Sequence, residues 1–261
     1  MQDHHFEFNA ASVTRAWDRA ADAYAHGQSV GRDYYRYEFL GPAQVAACGD
    51  VTGLQVLDVG CGAGYFAREM AHRGAGVIAV DISPRMIEHA RHQEAMTPLG
   101  IEYRVGDAGE LDTIVPVGSF DLATSCVALQ DMPSVAQVLR GVHAILRPNG
   151  RFVASITHPC SDTPYRVWER DDAGRKRRLC LDAYFERGPI EYSWRDWAYE
   201  FTTPAVHATL EDWFGWILGA GFRVCGLREP RPNERALVSR PDLEDATRMP
   251  YFLIFDLVRA E

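Results

Sequence analysis

Near the start of the chain, apolar residues recur at helical spacing. Val13, Ala16, Trp17, Ala20, Ala23 and Tyr24 follow an i, i+3, i+4, i+7 pattern up to Gly27. This predicts one amphipathic helix stopped by that glycine. An aromatic stretch, 34–39, then fits neither a helix nor a strand period. From Gln55 onward, short apolar runs at 55–59, 77–81, 101–105, 120–125 and 152–156 predict five strands. Between them lie helical segments. One covers 65–72 and stops at Gly74, and a second has Ser83 as N-cap and Pro84 as its first residue. A third places Val135, Val138, Leu139, Val142 and Leu146 on one face behind Ser134 and Gln137, which have capping-box spacing. Residues 147–150 predict a turn. Strands alternating with helices imply a parallel sheet covered on both faces.

Residues 157–206 break that rhythm. They carry Tyr165, Trp168, Tyr184, Phe185, Tyr192, Trp194, Trp197 and Tyr199 among prolines and glycines. Two readings stand, a lid or binding loop and an irregular packed insertion. Order returns with Thr209 as the cap of a helix carrying Leu210, Trp213, Phe214, Ile217 and Leu218, stopped at Gly219 and Gly221. Strands at 222–227 and 251–258 complete the pattern. With no internal repeat and no second core, the expectation is one domain. It comprises a helical cap (1–50), a ligand-binding core (51–160), an insertion (161–206) and a closing helix with strands (207–261).

Charge narrows the partners. A formal net charge of -9 opposes phosphate backbones, so no nucleic acid partner is expected. The basic run 175–178 is taken as a solvated loop. The first 30 residues hold no continuous apolar stretch, and no segment approaches a spanning helix, so no membrane partner and a cytoplasmic location are expected. The six cysteines are scattered without CxxC spacing, and His158 with Cys160 offers only two ligands, so no metal is expected.

The chemistry concentrates in Val56-Leu57-Asp58-Val59-Gly60-Cys61-Gly62-Ala63-Gly64, a strand running into a glycine turn and a helix. The spacing is GxGxG, whereas pyrophosphate sites use GxGxxG. Asp58, two residues before the first glycine, would oppose a pyrophosphate and suits an ammonium group. Asp81 ends the second strand, where an acid accepts from both ribose hydroxyls. Asp107, after the third strand, can accept from an exocyclic amino group such as that of adenine. Loop capping is the alternative for both acids. A ribose, an amine and no required phosphate describe S-adenosylmethionine.

These residues also carry a resemblance. VLDVGCGAGYFA, then VDISPRMIEHAR, GDA, FDLATSCVALQDM and LRPNGRFVASITHPC, resemble the class I S-adenosylmethionine-dependent methyltransferases, especially the branch acting on small, quinone-like molecules. The likeness runs over about residues 51–160 and resumes in HATLEDWFGWILGAGFRV and MPYFLIFDLV. It implies an α/β fold with a seven-stranded, doubly wound, mostly parallel sheet in the order 3-2-1-4-5-7-6, the last strand antiparallel. It also implies that Asp58, Gly60, Cys61, Gly62 and Gly64 cradle the methionine part. Asp81, Ile82 and Met86 would hold ribose and adenine, and Asp107 and Ala108 the adenine edge. The segment holding Ser125, Cys126 and Gln130 would line the cofactor near its sulfonium. The chain departs from its look-alikes in two places. His207-Ala208 stands where many have His-Arg, and Cys126-Val127-Ala128-Leu129 replaces the Asn/Asp-Pro-Pro-Tyr of nucleobase N-methylating enzymes.

The expected function is methyl transfer from S-adenosylmethionine to O, N or C of a small, ring-containing metabolite, in small-molecule or natural-product metabolism. The alternatives are a non-catalytic S-adenosylmethionine-binding protein, a nicotinamide-dependent oxidoreductase, or a protein methyltransferase. His158 and His207 are the candidate bases, each with a structural alternative as a loop histidine. Asp131 is a candidate for orienting the acceptor, or a cap near Pro133. Tyr24 would close over the cofactor carboxylate, or else pack in the core. A homodimer is left open.

Overall fold

Asn9 opens α1 (Ala10–Ser29) by accepting from the Ser12 amide, while Ser12 Oγ accepts from the Asn9 amide. This reciprocal cap satisfies two donors that a helix start otherwise leaves orphaned. The helix runs two residues past Gly27, which serves space rather than termination: a Cβ there would fall within the Trp197 ring. The aromatic stretch forms a wide π-type turn (Arg36–Leu40) that feeds α2 (Gly41–Cys48). The alternating series follows as β1 (Gln55–Val59), α3 (Tyr65–His72), β2 (Gly76–Asp81), α4 (Pro84–Met96), β3 (Glu102–Val105), α5 (Leu111–Ile114), β4 (Phe120–Cys126), α6 (Val135–Ile145) and β5 (Leu146–Thr157). Next come β6 (Tyr165–Arg170), β7 (Lys176–Asp182), β8 (Gly188–Trp194) and β9 (Phe201–His207). The chain closes with α7 (Leu210–Gly219), β10 (Phe222–Arg228), α8 (Glu234–Ser239) and β11 (Phe252–Arg259). The structure is a computed structural model and describes residues 7–195 and 197–260.

Seven strands form one sheet in the order β10-β11-β5-β4-β1-β2-β3. Only β11 is antiparallel to its neighbours, and β1 to β5 pair in parallel. This is the order the resemblance implies. Leu57 and Val59 face α6 and α7, meeting Val138, Leu139, Val142 and Trp213. Val56 faces the opposite layer, with Phe66 and Met70 of α3 and Ile87 of α4. Side chains alternate along a strand, so Asp58 shares the Val56 face.

Several expectations need correction. Residues 157–206 are not an irregular insertion: β6 pairs with β7, and β8 with β9, as two antiparallel hairpins. Most of the basic run 175–178 starts β7 rather than a loop, with Lys176 paired to the buried carboxyl of Asp245. Ser134 makes no side-chain cap, because Gln137 instead donates to the Gly109 carbonyl at 2.9 Å and ties α6 to the turn after β3. The turn at 147–150 is present as an interruption of the β4–β5 register between Leu146 and Arg151, with Asn149 at φ 62.

The insertion packs on α1. Tyr199 donates to the Arg19 carbonyl at 2.7 Å and accepts from the Ala23 amide. Tyr24 stacks on Trp197 with centroids 5.2 Å apart, and Trp17 and Trp194 close the cluster edge-on. On its other side α1 meets the start of α4, where Ser83 Oγ donates to Asp18 at 2.6 Å and accepts from the Met86 amide.

Candidate active site

The carboxyl ends of β1, β2, β3 and β4 open into one cavity, roofed by α1 and the Arg36 turn. Ligands of open α/β sheets bind at such strand ends. From β1 come Gly60, Cys61 and Gly62; from the end of β2 and the start of α4 come Asp81, Ile82 and Met86. Gly106, Asp107 and Ala108 follow β3, Cys126 ends β4 and Val127 follows it. Tyr24 and Arg36 face them from above. Gly60 has φ 72, and a Cβ on it would lie 2.6 Å from the Ala128 Cβ and 2.8 Å from Met132 Cε. Only glycine permits both that backbone and that approach.

The two strand-end acids both cap and line. Asp81 Oδ2 accepts from the Gly62 amide at 2.8 Å and Oδ1 from the Ser83 amide at 2.9 Å, so one carboxyl fixes the glycine loop and the start of α4. Burial raises its pKa, and these bonds oppose the rise. Asp107 Oδ1 accepts from the Gly109 amide at 2.8 Å and starts a short turn. Each carboxylate oxygen has more than one lone pair, so capping leaves both acids able to receive a ligand.

Asp58 lies deeper and is 1% exposed. Its Oδ1 accepts from Thr124 Oγ1 at 2.9 Å, while Oδ2 has no partner. Burial pushes its pKa up to about 7, against the Thr124 bond and the charge of Arg36. Such an oxygen is costly to leave unpaired.

Two residues that the sequence pattern undervalued share this cavity. Arg36 donates from Nε to Asp33 at 2.7 Å, from Nη2 to the Tyr24 hydroxyl at 2.9 Å and from Nη1 to the Cys126 carbonyl at 3.3 Å. No motif surrounds it, so only its place in an aromatic stretch next to the first helix was available as a signal. Asp131 lines the same space. Burial raises its pKa well above the carboxylate range, Asp162 adds to the rise, and Gln130 and Arg36 oppose it. Between them Val127 adopts φ 53, a costly conformation for a β-branched residue. Its amide is held by Ser155 and its carbonyl by Gln130.

Of the cofactor residues expected from the sequence, Tyr24, Gly60, Cys61, Gly62, Asp81, Ile82, Met86, Asp107, Ala108 and Cys126 come together in this cavity. Four do not line it. Asp58 lies beneath, Gly64 caps α3 at φ 91 against the Tyr103 hydroxyl, and Ser125 is fully buried with its carbonyl bonded to Gln44. Gln130 turns instead toward a smaller cavity behind Asp131.

The two histidines separate. His158 is 4% exposed, with Nε2 at 3.1 Å from Glu229 and Nδ1 accepting from the Cys160 amide. Both ring nitrogens are engaged, and the ring lines neither cavity. Burial lowers its pKa, against the pull of Glu229. His207 lines the smaller cavity. Its Nε2 donates to the Tyr184 carbonyl at 3.0 Å, which makes Nδ1 the lone-pair nitrogen of the neutral ring.

Together, the fold and site define a Rossmann-like α/β protein with a glycine loop and two strand-end acids. An unpartnered buried carboxylate oxygen, a cradle that a Cβ would fill and acceptors after successive strands fit a cofactor with an ammonium, a ribose and adenine. Known proteins agree. Residues 57–154 match a family described as a methyltransferase domain. A solved S-adenosylmethionine-dependent methyltransferase from Mesorhizobium loti is 31% identical, covers 84% of this chain and 96% of its own, and superposes with a TM-score of 0.71. A Burkholderia thailandensis 1,6-didemethyltoxoflavin-N1-methyltransferase, solved with its substrate and S-adenosylhomocysteine, shares the fold at 17% identity and a TM-score of 0.57, over 95% of this chain and 89% of that one. A ubiquinone biosynthesis O-methyltransferase from Xanthomonas euvesicatoria is 34% identical over 106 residues, 41% of this chain, and the chain spans less than half of that relative (44%). The chain belongs to the class I S-adenosylmethionine-dependent methyltransferases, and its cofactor is S-adenosylmethionine.

Proposed function

We propose that this chain transfers a methyl group from S-adenosylmethionine to an oxygen, nitrogen or carbon of a small, ring-containing metabolite. The observation that carries the reading is the one cavity shared by the glycine loop, Asp81, Asp107, Arg36 and Asp131. When bound, S-adenosylmethionine supplies a methyl group already activated by a positively charged sulfur. The protein's work is then to orient, to exclude water and to receive a proton where the acceptor must lose one.

Gly60 to Gly62 would hold the methionine part, Asp81 the ribose hydroxyls and Asp107 the adenine amino edge. Arg36 is the buried cation suited to the carboxylate, with Tyr24 beside it. Asp58 Oδ2 is suited to the ammonium, through a water or a small movement of the glycine loop. The aromatic layer of Trp17, Tyr24, Trp194 and Trp197 would keep water out. A cation in the cavity favours the charged form of Asp131, which would ready it to orient the acceptor. His207 would serve as proton acceptor through Nδ1, and His158, tied at both nitrogens, would position the turn after β5. A ring-containing acceptor is also supported by relatives named for ubiquinone and toxoflavin chemistry.

The test is calorimetric titration with S-adenosylhomocysteine and, separately, NADH. The reading expects binding of the first and none of the second. Binding of NADH alone would overturn it.

A further inference from the structure

Behind Asp131 lies a second cavity of about 10 Å³, which is room for one water molecule. Its polar wall is built from three parts of the chain: Gln130 after β4, Asp162 after β5, and Tyr192 and His207 from the β8–β9 hairpin. Gln130 is 4% exposed and its orientation is fixed. Nε2 donates to the Val127 carbonyl at 3.0 Å, and a carbonyl can only accept, so Oε1 must be the free end. That oxygen has no partner. Asp162 is 7% exposed and accepts from Arg166 at 2.8 Å and from the Tyr192 hydroxyl. Among the described residues, the wall of this cavity contains no lysine or arginine. Gln130 Nε2 also lies 3.4 Å from Asp131 Oδ1, so the small cavity backs directly onto the large one.

We infer that this cavity is the selectivity subsite for the methyl acceptor, taking one water-sized hydrogen-bond donor group, a protonated amine or a hydroxyl, while the acceptor's ring stays in the larger cavity. The inference rests on the proposed methyl transfer and adds the class of acceptor. An unpaired buried acceptor gains most from a ligand that donates to it. A carboxylate there would face Gln130 Oε1 and Asp162, and the nearby Arg166 is already paired to Asp162, while a methyl group would leave Gln130 unsatisfied. A water alone would fill the same space, so the test separates an acceptor subsite from a hydration site.

The probes are four molecules with one ring and different heads: benzylamine, benzyl alcohol, toluene and benzoate. Their binding to the protein saturated with S-adenosylhomocysteine is measured by ligand-observed NMR. The expected order is benzylamine, then benzyl alcohol, then toluene, with benzoate weakest and about tenfold separating amine from toluene. Gln130→Leu should erase that tenfold preference, measured with S-adenosylhomocysteine at a concentration that saturates the variant. Asp162→Asn, which keeps the shape and removes the negative charge from the wall, should narrow the gap between amine and alcohol. It stands in if the leucine variant fails to fold. Equal affinities, no binding by any probe, a preference for benzoate, or selectivity untouched by both variants would overturn the subsite and leave a hydration site. Failure of S-adenosylhomocysteine to bind would strike the methyl-transfer reading instead, and is read independently in the same samples.

Discussion

The two halves of the cavity are held together differently. On the cofactor side, the strand-end acids bond to neighbours or adjacent strand ends, Asp107 to Gly109, Asp81 to Ser83 and Asp81 to Gly62, while the roof adds one long tie from Arg36 to Cys126. On the acceptor side, polar contacts span the chain. Tyr199 reaches Arg19, Lys176 reaches Asp245, and Tyr192 reaches Asp162. The first half takes its shape from the sheet and its turns. The second draws its small cavity from the turns after β4 and β5, the β8–β9 hairpin and the α7 region. A site built this way can keep its cofactor geometry while its acceptor geometry varies with the hairpins.

The sharpest way to break the comparison is on the cofactor side. Gly60→Val adds a side chain at φ 72 against Ala128 and Met132, and should abolish measurable S-adenosylhomocysteine binding in calorimetry. The hairpin contacts to α1 should stay intact by tryptophan fluorescence. Next, Asp81→Ala removes the anchor of the glycine loop and the proposed ribose acceptor. Affinity should fall by roughly 150-fold, taking two charged hydrogen bonds at roughly 1.5 kcal/mol each, and a loss under threefold would remove Asp81 from the site.

Asp58 gives a pH signature confined to the same half. Its pKa rises from 3.8 to about 7 on folding, so the folded state holds a proton that the unfolded state has released. The free protein should therefore lose stability as pH climbs from about 4 to about 7, by at most about 1.4 kcal/mol per pH unit from this group. Denaturant melts of Asp58→Asn should lack that component. An unchanged slope would mean that Asp58 ionises normally. The smallest effect belongs to the other half. Tyr199→Phe removes the hydroxyl that ties the insertion to α1, and should cost about 1 kcal/mol, a fall in Tm of roughly 2–4 °C. Cofactor affinity should change little, because Tyr199 lines neither cavity.

The same division decides what the sequence revealed. The glycine loop, Asp81 and Asp107 sit at strand ends marked by hydrophobic period and turn residues, and these local signals survive folding. Capping and ligand binding are not alternatives for those acids, since each both caps and lines the cavity. Arg36 carried no periodic signal. Its role arises because a π-type turn brings it over the end of a strand 90 positions later. The β6–β7 hairpin was illegible because both strands are largely exposed and charged, leaving no apolar alternation. In β8 a signal was present: Ile190, Tyr192 and Trp194 alternate with Pro189, Glu191 and Ser193, matching the half-buried and exposed positions of the strand. Gln130 was expected against the cofactor from its place after β4, but its side chain turns the other way once Val127 enters the left-handed region and presents its carbonyl.

The position of β11 between β5 and β10 sets an order of assembly during synthesis. β10 is made first but touches the sheet only through β11, so it has no partner strand until residues 252–259 have left the ribosome. At about 5–20 residues per second, the edge of β5 waits unpaired for several seconds while the two hairpins, α7 and β10 are translated. The nascent chain thus passes through a state with one open parallel-sheet edge. A chaperone, or a neighbouring nascent chain, would meet it there before the acceptor half of the cavity exists.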